Sequence, residues 1–405
     1  MVKKCFKILL AVYCFQFANL KAQTSPDIKR TKHWYFGTNA GLDYSGGVPV
    51  AVTNGQLQSL ISCASISDTS GQFLFYSDGM RVWNKNNQLM SNGTGLNGDY
   101  NGRVLIVPKP LNDSLYYVFT TRVNPAPYTG FQYSIVNMKL QGGLGDVIVK
   151  NDTVLKDSWE RLAAVKHANG TDIWIAVIQM NTNNIYCYLL TATGLSASPV
   201  INSIGNIDNF GSLHFCFSAS GKKLAMTANQ TGSELFDFNT STGILSNPII
   251  FPAGGSSWED FGVEFSPDET KLYFTREPFG PPTLLYQVDL MAGSPTNIIN
   301  SLTLIDTISK STASAIQRAA DGKLYVGRFN YKSLGRINNP NALGKSCNFD
   351  TNAISLNGKI CSSGFPLFIS SYFYDPSLLS GIEAITNKIE TKIYPNPSVT
   401  GVFYT

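Results

Sequence analysis

The stretch SPDETKLYFT at 266–275 returns with small changes as SASGKKLAMT at 218–227 and as AADGKLYVGR at 319–328. Each copy is a turn followed by a burst of apolar residues. Ser, Asp, Asn and Gly suit such turns because they tolerate left-handed backbone angles and bond their own main chain. A phrase that returns at a near-fixed interval marks one structural unit that has been copied. In register, Leu224, Leu272 and Leu324 coincide. Phe73 supplies a further copy, and Leu115 and Ile173 fit less tightly. The intervals run from roughly 40 to 60 residues, the spacing of propeller blades rather than of helical repeats.

Every copy has the same internal grammar. An apolar strand such as SLHFCFS (212–218) comes first, then the turn, then the burst. A third strand ends in Asp or Asn, as in SELFDFN, and a Gly-containing turn leads to a fourth, as in TGILSNPIIF. The bursts are apolar on both alternating faces, as strands packed on two sides must be. The expected fold is therefore all-β, a seven-bladed β-propeller of four-stranded antiparallel blades over residues 23–375, with six or eight blades as alternatives. Six first strands begin near Ile61, Arg103, Arg161, Ser212, Gly262 and Ala313. A seventh, GFPLFISSYF at 364–373, has no companions after it, whereas HWYFG, GLDYSGG and VPVAV near the N-terminus lack a first strand. The pattern predicts that these two ends share one blade, which removes free sheet edges.

The first 22 residues have the build of a secretory signal. Lys3, Lys4 and Lys7 precede an apolar run from Ile8 to Phe17, and Ala22 is the small residue before a cut at Gln23. Together with Lys21 this segment holds four lysines and no acid, so its removal leaves 27 basic residues against 27 acidic ones. The formal +4 thus belongs to the leader, and no electrostatic footprint for nucleic acid remains. No later segment is long and apolar enough for a membrane helix. Cys63, Cys187, Cys216, Cys347 and Cys361 remain after the leader. An odd number rules out a complete set of internal bridges, while the spacing of Cys347 and Cys361 allows a disulfide without deciding it.

Chemistry is sparse. The histidines are His33, His167 and His214. His33 and His214 read as core or channel residues. There is no His-Glu-x-x-His helix, nucleophile elbow, Cys-x-x-Cys pair or phosphate loop, so neither metal nor cofactor is expected. One pattern singles itself out: SWERL at 158–162 and SWEDF at 257–261 each precede a first strand. Trp159, Glu160, Trp258, Glu259 and Asp260 are the candidate rim, an aromatic and acidic surface for sugars or cations.

The repeated phrase resembles the Ser-Pro-Asp-Gly-Lys signature of WD-like, TolB-type propeller repeats. Ser266-Pro267-Asp268 and Lys271-Leu272-Tyr273 carry the match, although Glu269 stands where Gly is usual. HWYFGTNAGLDYSGG, ASISDTSGQFLFYSDGMRVWN and RINNPNALGKSCNF also look like stretches of Bacteroidetes cell-surface propellers. At the C-terminus, Tyr394, Pro395, Asn396, Pro397 and Gly401 resemble the opening of the type A sorting domain of type IX secretion, truncated here to 392–405 behind a linker at 376–391. That resemblance implies the type IX machinery as a partner and a secreted or outer-surface location. The leading expectation is a non-enzymatic module that binds an extracellular protein or glycan. The alternatives are a propeller-fold hydrolase or lyase acting on polysaccharide or lactone, and a structural component of a gliding or adhesion assembly.

Overall fold

The computed structural model describes residues 26–122, 130–207, 214–229, 231–255, 258–278, 280–308 and 315–378. The expected leader with its cleavage site, the linker beyond 378 and the sorting segment lie outside the described residues. Among the described residues the fold is all-β apart from one short helix element, Pro295–Asn300, and a few 3-10 turns.

The first sheet holds β1 (His33–Phe36), β2 (Ala40–Asp43) and β3 (Val50–Val52). Next come β4 (Ala64–Ser67), β5 (Phe73–Ser77), β6 (Arg81–Asn84) and β7 (Leu89–Thr94), then β8 (Val104–Pro108), β9 (Leu115–Arg122), β10 (Gly130–Asn137) and β11 (Asp146–Leu155). These eight form one sheet in the order β4-β5-β6-β7-β11-β10-β9-β8. The following sheet is built from β12 (Ser158–Lys166), β13 (Ile173–Gln179), β14 (Asn184–Thr191), β15 (Gly194–Leu195) and β16 (Val200–Ser203). Three four-stranded meanders complete the described sheets. They are β17 (Phe215–Phe217), β18 (Lys223–Met226), β19 (Glu234–Asn239) and β20 (Ile244–Ile250); β21 (Glu259–Phe265), β22 (Lys271–Glu277), β23 (Thr283–Asp289) and β24 (Thr303–Ile308); and β25 (Ile316–Arg318), β26 (Leu324–Val326), β27 (Ser333–Ile337) and β28 (Phe349–Ser355).

The repeated phrase is the hairpin between the first and second strands. Gly221 N donates to Ser218 O, Glu269 N to Ser266 O and Gly322 N to Ala319 O, all at 2.9–3.0 Å. Two-sided burial follows. Lys271–Glu277 is buried at every position, because each sheet packs between neighbours. Val165, Trp174 and Cys187 meet Phe217, Leu224 and Phe236 at one interface. Leu235 and Phe251 meet Phe265 and Phe274 at the next. Trp34 and Phe36 of the first sheet share a core with Tyr76 and Trp83 on one side and Tyr325 and Leu334 on the other. The last sheet thus returns to the first, a propeller-like arrangement.

Seven equal blades of four strands are not what the sheets form. Five sheets have four or more strands and the first has three. The eight-stranded sheet arises because β7 and β11 touch along their outer edges, through a parallel bridge between Ser91 and Asp146. Asn92 Nδ2 donates to Asp146 Oδ1 and Asn151 Nδ2 to Gly95 O, both at 2.9 Å, which secures that contact. Nor does 364–373 add a fourth strand beside β1. Leu367 makes one parallel bridge to Leu105 of β8, and the chain then turns through Ser370–Phe373. Pro366 offers no N–H to a ladder, and Gly364 passes so close to Ile61 that a Cβ would lie 1.9 Å from its carbonyl oxygen. Isolated backbone bonds, Ser363 N to Leu60 O at 2.9 Å and Leu367 N to Cys63 O at 3.3 Å, hold the segment together with rings: Phe365 lies 5.4 Å from Trp34 and 5.2 Å from Phe36, and Phe368 lies 6.2 Å from Trp34. The five cysteines are buried free thiols, so Cys347 and Cys361 are not joined.

Candidate functional site

The first strands β4, β8, β12, β17, β21 and β25 adjoin one another in turn around the centre. For three of them, β8, β17 and β21, a threonine towards the end of the second strand fixes where the first strand begins. Thr121 Oγ1 accepts from Arg103 N and donates to Glu160 O, both at 3.0 Å. Thr227 Oγ1 accepts from His214 N at 2.9 Å and donates to Phe261 O at 3.0 Å. Gly262 N likewise donates to Thr275 Oγ1. These bonds set Arg103 and His214 at matching positions just ahead of their strands.

Arg103, Glu160, Arg161 and His214 are all buried. Burial, and then the charges of Arg103 and Arg161, hold the His214 imidazole well below the usual histidine range. It is therefore neutral at physiological pH, and its Nε2 has no hydrogen-bond partner. Burial brings the Arg103 guanidinium down to about 10, against the opposing pull of Glu160. Arg161 Nη2 donates to Thr227 O at 3.2 Å, tying the same threonine-bearing segment to the cluster.

One step further along the strands, His214 shares a cavity of about 30 Å³ with Cys216, Glu264, Gln317 and Arg318. That volume suits roughly one water molecule. Cys216 Sγ donates to Glu264 Oε1 at 3.2 Å, and Arg318 N donates to Oε2 at 3.0 Å. Burial raises the Glu264 carboxyl above its ordinary range, and burial followed by Glu264 raises the Cys216 thiol. The C-terminal segment closes this end, where Phe373 O accepts from Arg318 Nη2 at 2.7 Å. Among the described residues, no group of three His, Cys, Asp or Glu side chains is placed to hold a metal ion.

The candidate rim residues are not gathered in one place. Trp159 is buried in the interface it shares with Trp174 and Phe215. Glu160 faces inward near Arg103. Trp258 is half-buried over Gly254, where a Cβ would come within 2.8 Å of its ring. Glu259 pairs across the ladder with Glu277. Asp260 is buried and bridged to Arg276 at 2.5 Å, with Ser233 Oγ donating to it at 2.6 Å. His33, expected in the core or channel, bonds Ser67 Oγ at 2.9 Å. His214 is a channel residue but not a satisfied one. The signal for the axial cluster was present in the sequence: GRVLIV, ERLAAV and LHFCF put Arg103, Arg161 and His214 at one register position.

No family model matches this chain, and no curated protein matches it in sequence. Solved structures do. One from Bacteroides fragilis, described as a candidate 6-phosphogluconolactonase, superposes with a TM-score of 0.52 at 12% identity, covering 83% of this chain and 96% of its own. A second from Bacteroides uniformis, described in the same way, gives 0.50 at 13% identity over 80% and 98%. The periplasmic gluconolactonase of Pseudomonas aeruginosa gives 0.50 at 12% identity over 82% and 96%. At such identities the likeness is one of fold. It corrects the expectation of a non-enzymatic module all the same. That expectation rested on missing catalytic motifs, and chains of this fold bear the names of lactone-cleaving enzymes.

Proposed function

We propose that the protein is a hydrolase that opens the ring of a sugar-acid lactone. The observation that carries this reading is the neutral, buried imidazole of His214, with an open Nε2, facing two guanidiniums. Admission of the lactone requires the small cavity beside His214 to widen, and a lactone carbonyl then placed among these groups meets what hydrolysis requires. His214 Nε2 takes a proton from water as the water oxygen bonds to the carbonyl carbon. Arg103 and Arg161 stabilise the negative charge that develops on the carbonyl oxygen. The ring C–O bond then breaks, and the ring oxygen takes the proton back from the imidazolium, leaving the hydroxy acid. An anionic substrate also offsets the arginine charges that depress the histidine, making His214 a better base once the site is filled.

The test is hydrolysis of δ-gluconolactone and of its 6-phosphate ester, followed by NMR against the spontaneous rate. The wild-type chain is expected to exceed that rate on at least one substrate. His214→Gln is expected to lower the enzymatic rate about 100-fold or more. An absence of enzymatic rate on both lactones overturns the reading.

The finer architecture in this reading is seven units, with the fused sheet counted as two meanders and β1–β3 as the seventh. Residues 1–22 serve as an export leader, and 392–405 address the chain to the type IX machinery. Sequence features alone support both assignments. Mass determination of the mature N-terminus, expected at Gln23, tests the leader.

A further inference from the structure

The turn Ser370–Phe373 stands between two spaces. On one side is the axial cavity beside His214, with room for roughly one water molecule. On the other is a groove of about 450 Å³ at the hairpin end of the sheets, where Gly170 and Ser220 line it. That size falls within the range of small-ligand clefts. Ala219 borders both spaces. Residues three apart share a face of a 3-10 turn. Accordingly Ser370 and Phe373 line the cavity, while Ser371 and Tyr374 line the groove. Tyr372, on the remaining face, is buried with Leu105 and Phe119.

The other walls of the groove are fixed. Lys166 Nζ bridges Asp27 at 2.5 Å. His167 Nδ1 accepts from Asn169 N at 3.0 Å, so Nε2 carries the proton and donates to Ser241 O at 3.1 Å. The turn is held differently, because it lies outside the strand ladders. Phe373 O accepts from Arg318 Nη2 at 2.7 Å, and Ser371 Oγ accepts from Lys166 N at 3.0 Å. The Phe373 ring lies 6.1 Å from Phe368 and 5.6 Å from the Arg318 guanidinium. Rotation about the Tyr372 anchor breaks those two hydrogen bonds, withdraws the Phe373 ring from the cavity wall and joins the cavity to the groove.

We infer that this turn is a gate pivoting on Tyr372, and that the Phe373 ring sets the size of the solute it admits from the groove to the axial cavity. A lid of this kind supplies the widening that access to His214 requires. That the solute is a sugar-acid lactone rests on the reading above; the gate itself does not. Cys216 lines the cavity and reports opening, because a reagent must reach its sulfur to alkylate it. Full-length wild type, Phe373→Ala and Ser371→Ala are treated with N-ethylmaleimide and with the bulkier fluorescein maleimide, and peptide masses give the labelling rate of each cysteine. Burial and Glu264 raise the Cys216 thiol, so its rate is compared between variants and not with other cysteines. Phe373→Ala should speed N-ethylmaleimide labelling of Cys216 about tenfold. It should also narrow the gap between the two reagents and leave Cys63, Cys187, Cys347 and Cys361 at their wild-type rates. Ser371→Ala removes only the hydroxyl that accepts from Lys166 N and should speed Cys216 about threefold. If Phe373→Ala speeds all five cysteines together, its fold has loosened and Ser371→Ala decides. A gain confined to Cys216 in either variant supports the gate. The inference is overturned if neither variant speeds Cys216 apart from the other four, and an undiminished gap between the reagents in a folded Phe373→Ala removes the ring from its size-setting role. Because labelling does not read hydrolysis, its failure leaves the lactone reading untouched, and the reverse also holds.

Discussion

Glu269 departs from its repeat for a reason the structure supplies. Gly221 and Gly322 hold the equivalent turn position with φ of 76° and 74°, and Glu269 is held at 58°. A side chain at such an angle costs about 1 kcal/mol. The carboxylate reaches the neighbouring hairpin, where Ser220 N and Oγ donate to it at 2.5 and 2.6 Å. Glu269→Ala keeps the strain and loses both bonds, so it should destabilise by about 1–2 kcal/mol in urea unfolding. Glu269→Gly loses the bonds but relieves the strain and should fall closer to wild type. His214 and Glu264 make a second pair of opposites. His214 is held neutral in the folded chain, with its pKa below the ordinary 6.5. The unfolded chain therefore binds the extra proton, and the contribution present above pH 6.5 is lost as the pH falls below it. Glu264 is shifted upward from 4.5, so the folded chain holds its proton longer. Its contribution is present below pH 4.5 and is lost as the pH rises through the raised value. Stability curves of His214→Gln and Glu264→Gln against pH should differ from wild type with opposite slopes.

The hairpin shows what a repeated element reveals and what it hides. The turn, the burst and the two-sided burial were legible in the sequence because they depend on neighbours a few residues apart. The threonine closing KLAMT and KLYFT was visible too, but its role was not. Thr227 bonds its own unit through His214 N and the next through Phe261 O, and only the second strand's distance from the adjoining sheet makes that possible. The axial cluster was missed on the same ground. Arg103, Arg161 and His214 share a register position in their units but lie about fifty residues apart, so the pattern could align them while only the ring brings them together. The paired tryptophans attracted the sequence reading, yet Trp159 is packing material between sheets. Thr227→Val keeps the shape and removes both hydrogen bonds, leaving a buried donor and acceptor unmet. It should destabilise by about 2–3 kcal/mol and, by loosening His214, lower lactone hydrolysis. Equal stability of the Val variant in denaturant titration would remove the threonine from this role.

Closure of the whole molecule was anticipated in direction and not in means. The two ends of the described residues do meet at Trp34, as the missing strands implied, but through rings and one isolated antiparallel bridge between Thr38 and Ile360 rather than through a shared ladder. The alternation of apolar residues in GFPLFISSYF reads as a strand, and the sequence pattern does not register that Pro366 and the tight pass of Gly364 prevent one. A closure made by packing concentrates its stabilisation in few side chains. Phe365 touches Trp34 and Phe36 and is buried, so Phe365→Ala should cost about 3–5 kcal/mol, the loss of one large core ring. Phe365→Leu, which keeps most of the volume, should cost much less. The shape of the unfolding curve carries further information. The three-stranded sheet has a neighbour on each side, and its core contains residues from both. If the ring is one cooperative body, loosening the junction lowers the midpoint while the transition stays single. If instead Phe365→Ala separates the curve into two steps, with Trp34 fluorescence changing in the first, then the first sheet is a detachable flap and the remaining sheets stand without it.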